Sequence, residues 1–171
     1  METGKVVREL TDTVVGWRAW TVRETGAGLR LGSVLHELVW APGDGVVAEC
    51  VAEGAVHPVP GPRCLCGFHA VRDPVDALSY LSGRDEPDTV CRVLGEVALW
   101  GHVLETESGW RGSHALPLRL FVRDPELVPA LSAYGVSVSC DPCGPRSSRT
   151  CTGTPSLSVR RSPISSGKTS I

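Results

Sequence analysis

Val93-Leu94-Gly95-Glu96-Val97-Ala98-Leu99-Trp100-Gly101-His102-Val103-Leu104-Glu105-Thr106, the turn Glu107-Ser108-Gly109, and Trp110-Arg111-Gly112-Ser113-His114-Ala115-Leu116-Pro117-Leu118-Arg119-Leu120-Phe121-Val122 decide the fold. Successive side chains of a strand point to opposite faces. Val97, Leu99, Gly101 and Val103 then face one way, and Glu96, Ala98, Trp100, His102 and Leu104 the other. The two runs read as one long antiparallel pair. Pro117 lacks a ladder donor, so it marks an edge or a bulge.

Upstream, Val14 to Val22 and Leu29 to Val34 flank Thr25-Gly26-Ala27-Gly28, which predicts a hairpin. Leu35 to Trp40 reads as a shorter strand, ended by the breaker cluster Ala41-Pro42-Gly43-Asp44-Gly45, and Val46 to Val51 as another. Three prolines in His57-Pro58-Val59-Pro60-Gly61-Pro62 exclude both helix and central strand. Asp73-Pro74 supplies an N-cap carboxylate and a proline at the first helical position, and Asp124-Pro125-Glu126 repeats the device. The apolar stripes Ala77, Leu78, Leu81 and Leu127, Ala130, Leu131, Tyr134 follow, closed by Gly83 and Gly135. Helices this short need a surface to pack on. The predicted class is therefore α+β, a mostly antiparallel β-sheet with two short helices packed on it.

Residues 1–12 read as an N-terminal extension, 13–139 as a single α+β domain, and 140–171 as a disordered tail rich in Ser, Pro and Arg. The tail carries five basic side chains against Asp141, a charge of +4, which leaves −6 on the rest of a chain whose net charge is −2. Its few apolar residues bury too little surface to offset the entropy of ordering.

At 171 residues, with 42% hydrophobic and 21% charged side chains, the chain is not wholly disordered. A pI near 6.2 argues against nucleic acid as a partner. No apolar run approaches the ~18–20 residues of a membrane span, and Met1 to Asp12 lacks a signal-peptide core, so a cytoplasmic location is expected. Fifteen arginines against two lysines fit a high-GC bacterial source.

Seven cysteines in a reducing compartment point to metal or plain burial rather than disulfides. Cys50, His57, Cys64 and Cys66 bracket the Pro/Gly-rich loop and could close a tetrahedral structural zinc site. The spacing departs from common zinc folds, which use two close ligand pairs. Burial as small hydrophobes equally accounts for Cys50, Cys64 and Cys66. Cys140-Asp141-Pro142-Cys143 has redox spacing but opens no helix. His69 is a weak catalytic candidate, with Glu96 and Glu105 as acidic partners. Trp17, Arg18, Trp100 and Trp110 could form a ligand platform, although core packing explains tryptophans in a small sheet as well.

Gly16-Trp17-Arg18-Ala19-Trp20, Cys64-Leu65-Cys66-Gly67-Phe68-His69-Ala70, and Gly95 to Gly101 continuing through Glu107 to Arg111 carry a resemblance. Residues 16–121 resemble a family of uncharacterised small proteins of actinobacteria and their phages, marked by the Cys-x-Cys-Gly-Phe-His-Ala motif. Gly67 to Leu78 is also similar to phage domains of unknown function. The resemblance implies a shared fold and assigns no activity. A weaker likeness links the Gly-aromatic-x-Ala segment and its helix to ADP-ribosyltransferase-like enzymes that use NAD, with Arg18, Tyr80 and Glu96 or Glu105 as counterparts. The leading expectation is a non-enzymatic binding domain with a structural zinc and a protein or small-molecule partner, in phage or mobile-element biology. An NAD-using enzyme is the alternative.

Overall fold

The long hairpin forms where the alternation places it, as Thr89–Thr106 and Gly109–Val122. In this computed structural model, which describes residues 6–140, eleven elements follow in chain order. They are β1 (Val6–Leu10), β2 (Val14–Thr25), β3 (Gly28–Ser33), β4 (Val39–Trp40), β5 (Val46–Val47), β6 (Phe68–Val71), α1 (Pro74–Leu78), β7 (Thr89–Thr106), β8 (Gly109–Val122), α2 (Leu127–Leu131) and β9 (Ser137–Cys140). The class is as expected: a mostly antiparallel sheet with two short helices, β8–β9 being a parallel pair.

Several boundaries differ from the sequence reading. Residues 6–10, assigned above to an extension, form a strand paired with β7. Cys140, taken as the first residue of the tail, ends β9, and residues 141–171 lie outside the described residues, Cys143 among them. Leu35 to Trp40 shrinks to the pair Val39–Trp40, and Val46 to Val51 to Val46–Val47. Leu35, Leu38 and Val51 are exposed, so hydrophobicity there has no buried face to set a strand. Each helix is one α-turn continued by a 3-10 turn, Ser79–Leu81 and Ser132–Tyr134. Asp73 caps α1 by accepting from Val75 N at 2.8 Å. Asp124 instead accepts from Glu126 N at 2.9 Å, one step ahead of α2, whose own cap position is Glu126.

The pairing path closes on itself. β2 pairs with β7, β7 with β8, β8 with β6, and β6 returns to β2 at Trp17↔Val71. Two register shifts bend the hairpin, between Trp100 and Val103 and between Glu96 and Val97. The second lies opposite Pro117, so the proline does sit at a bulge. Inside lies a core of Trp20, Trp40, Phe68, Val97, Leu99 and Leu120. Trp40 meets Trp20 and Phe68 edge-on, with ring centroids 5.6 and 5.0 Å away, a favoured aromatic geometry.

Candidate metal centre and the adjoining cleft

The loop between β5 and β6 carries all four expected ligands. It is anchored at the far end by β6, which lies between β2 and β8, and by buried Pro60. Cys50, His57, Cys64 and Cys66 present ligand atoms that all lie within 4.8 Å of one another. Cys50 Sγ is 3.7 Å from Cys64 Sγ and 3.6 Å from His57 Nε2. Bonds of ~2.3 Å to one tetrahedral ion impose S···S separations of about 3.8 Å. The cluster therefore fits a structural metal site.

The surroundings support ligation. His57 Nδ1 donates to the Pro58 carbonyl at 2.8 Å, which leaves the Nε2 lone pair facing Cys50. That same bond holds the His57 pKa above its ordinary value. The Gly61 N–H donates to Cys66 Sγ at 3.2 Å. A side chain at Gly61 would come within 2.6 Å of the His57 ring, so the loop needs glycine there. Hydrogen bonding from the Cys66 backbone N–H, then from its side chain, draws the Cys64 thiol down to about 7. Burial pushes Cys66 up to about 11. Between Cys64 and Cys66, negative charge is therefore favoured on Cys64.

Arg111, on β8 and only 3% exposed, clasps the loop from beneath. Its Nη1 donates to the carbonyls of Gly61 at 3.2 Å, of Cys66 at 3.5 Å, and of Cys64. A guanidinium beside two thiols also offsets the excess negative charge of a three-thiolate, one-imidazole set. The sequence shows Arg111 only as one residue of the second hairpin strand, with no role of its own. Its role rests on contacts 45 to 50 residues away in the chain, for which the local sequence holds no signal.

On the other side of β6 lies a cleft of about 340 Å³. Trp17, Arg18, His69, Tyr80, Trp110 and Arg111 are among its lining residues. Three of the four expected platform residues are thus gathered. Trp100 is not; it stacks on His114 at 5.5 Å instead. Arg18 Nη1 donates to the His69 carbonyl at 2.7 Å, and Nη2 reaches Ser33 Oγ at 3.4 Å. His69 Nε2 donates to the Leu65 carbonyl at 2.8 Å. Burial, with Arg18, Arg111 and His36 adding positive potential, lowers the His69 pKa to about 4. At neutral pH its imidazole is therefore uncharged.

The two acidic candidates stand elsewhere. Glu96 lies 3.8 Å from Arg119, and Glu105 is held between Arg8 and Arg72. Neither lines the cleft, and no carboxylate does among the described residues. No helix among the described residues is long and apolar enough to cross a membrane. No protein-family model, curated protein or solved structure matches the chain.

Proposed function

We propose that the chain is a binding domain whose Pro-rich loop is pinned to the sheet by one structural zinc ion, held by Cys50, His57, Cys64 and Cys66. The observation that carries this reading is the convergence of those four ligand atoms within 4.8 Å. Four protein ligands would close the coordination sphere, which is the mark of a structural site, since catalytic zinc keeps one position for water or substrate. Three thiolates with one imidazole suit zinc better than hard cations, which prefer oxygen. Zinc here would fix the floor of the cleft, because Leu65 and Gly67 of the ligand turn also line it. The binding reading is preferred to NAD-dependent chemistry because the cleft's described lining offers no carboxylate to act as acid, base or nucleophile.

Elemental analysis of protein purified without chelator tests this. One zinc per chain is expected, lost in the Cys64→Ser, Cys66→Ser variant together with a fall in melting temperature. Metal-free protein that is as stable as the variant would sink the reading and leave the cysteines as small core residues.

A further inference from the structure

The cleft stands where the sheet parts. Along one edge β2 pairs with β6 at Trp17↔Val71, then with β3 from Trp20↔Ser33 onward. Between them, Arg18 and Ala19 have no strand partner on that side among the described residues. The Arg18 side chain spans this gap, one nitrogen on the His69 carbonyl of β6 and another near Ser33 of β3. A split between strands leaves backbone polar groups facing a concavity, which is where binding sites in sheets commonly form.

The charge in this gap is unanswered. Arg111 has Cys64 and Cys66 beside it. Arg18 has no ion pair among the described residues, and its Nε is buried without a hydrogen-bond partner. Burial lowers its pKa to about 10, against a small opposing influence from the Tyr80 phenol, so it stays charged at neutral pH. Arg18 is partly buried, its guanidinium 5.2 Å from the centroid of the Trp40 ring, and a ligand anion would supply the counter-ion it lacks. The walls around it are aromatic and apolar, with Trp17, Trp110, Tyr80 and Leu35 on the lining. The Trp110 ring is itself held by Arg72, whose guanidinium lies 4.3 Å from its centroid.

We propose that the cleft binds a small organic anion, a flat apolar body carrying one carboxylate or phosphate group, with the anion seated on Arg18 and the body against the aromatic and apolar lining. The volume, about 340 Å³, falls at the small end of the range of ligand pockets. The inference rests on the reading of the chain as a binding domain; it does not depend on which metal the loop holds.

Titration of the full chain, at measured zinc content, with indole-3-carboxylate, phenyl phosphate and neutral indole-3-carboxamide tests it through tryptophan fluorescence. Binding of one or both anions at least tenfold tighter than the amide is expected, and the preferred anion separates a carboxylate from a phosphate ligand. Arg18→Gln should abolish that preference, the anions then binding no tighter than the amide. Should that variant not fold, Ser108→Trp, at an exposed position on the lining, blocks the cleft and should remove anion binding from a folded protein. Equal affinity for anions and amide, no binding by the wild-type chain, or anion binding that survives Ser108→Trp would each overturn the proposal. Zinc content without binding would retire this site alone, and binding without zinc would retire the metal alone.

Discussion

A buried histidine makes the stability of the fold depend on pH. His69 is held neutral by burial, with Arg18, Arg111 and His36 nearby, and its pKa falls to about 4 from an ordinary 6.5. The unfolded chain therefore takes up a proton between those two values that the folded chain does not. Stability rises with pH wherever the unfolded state binds more protons. The folded state thus has its full stability above pH 6.5 and loses part of it as the pH falls toward 4. Urea midpoints measured across that window should drop for the wild type and drop less for His69→Gln, whose amide nitrogen can still donate to the Leu65 carbonyl. Parallel slopes for the two proteins would show that His69 titrates normally. His69 was visible in the sequence as a histidine worth weighing; its neutrality was not, because the burial that enforces it, with Arg18 and Arg111 of β2 and β8 adding to it, is set by distant parts of the chain.

Among the elements, the helix α2 and its 3-10 turn do more than cover an apolar face. Tyr134, at the end of that turn, accepts from Leu31 N at 2.8 Å and donates to the Trp40 carbonyl at 2.5 Å. One hydroxyl thereby satisfies backbone groups of β3 and of β4, the strand that ends the sheet on that side. Tyr134→Phe leaves a buried donor and a buried acceptor unpaired and should cost on the order of 1–3 kcal/mol. The Leu31 amide should lose hydrogen-exchange protection selectively, whereas unchanged protection would mean water replaces the phenol. The sequence placed Tyr134 correctly on the helix's apolar stripe but could not show that its oxygen meets residues about a hundred positions away. What it did show was local: the hairpin of β7 and β8, whose expected alternation holds only as far as the bulge between Trp100 and Val103, where Gly101 is exposed and Leu104 buried, the Gly26-Ala27 hairpin, the Asp73 cap and the closing Gly135, which has φ +69. The four candidate ligands were legible for the same reason, since one loop carries them all. The stretches on either side of β4 and β5 misled because Leu35, Leu38 and Val51 lie exposed on irregular backbone.

For the molecule as a whole, ring closure is the feature that joins fold to site. β6 has only four residues, yet it completes the circuit between β8 and β2, carries His69, and follows directly from the Cys64-Leu65-Cys66 turn. The candidate metal loop and the cleft therefore share one short strand, and a change that detaches β6 should disturb both. Gly109 sits opposite Val71 in that pairing, and a Cβ there would lie 2.0 Å from the Ala70 carbonyl oxygen and 2.8 Å from Val71 Cα. Both obstacles are backbone, so the clash can be relieved only by moving the strand. Gly109→Ala should therefore cost about 3 kcal/mol or more, at the upper end of overpacking penalties. Gly26→Ala, where the added atom meets nothing within 4 Å, is the matched control and should change stability little. Hydrogen exchange should show β6 amides losing protection in Gly109→Ala while those of Val97 to Leu99, in the middle of β7 with β2 and β8 on either side, keep theirs. Zinc content and probe binding should fall together in the same variant, because one strand supports both. A variant as stable as the control would mean that the seam yields without cost and that β6 is held by the loop alone.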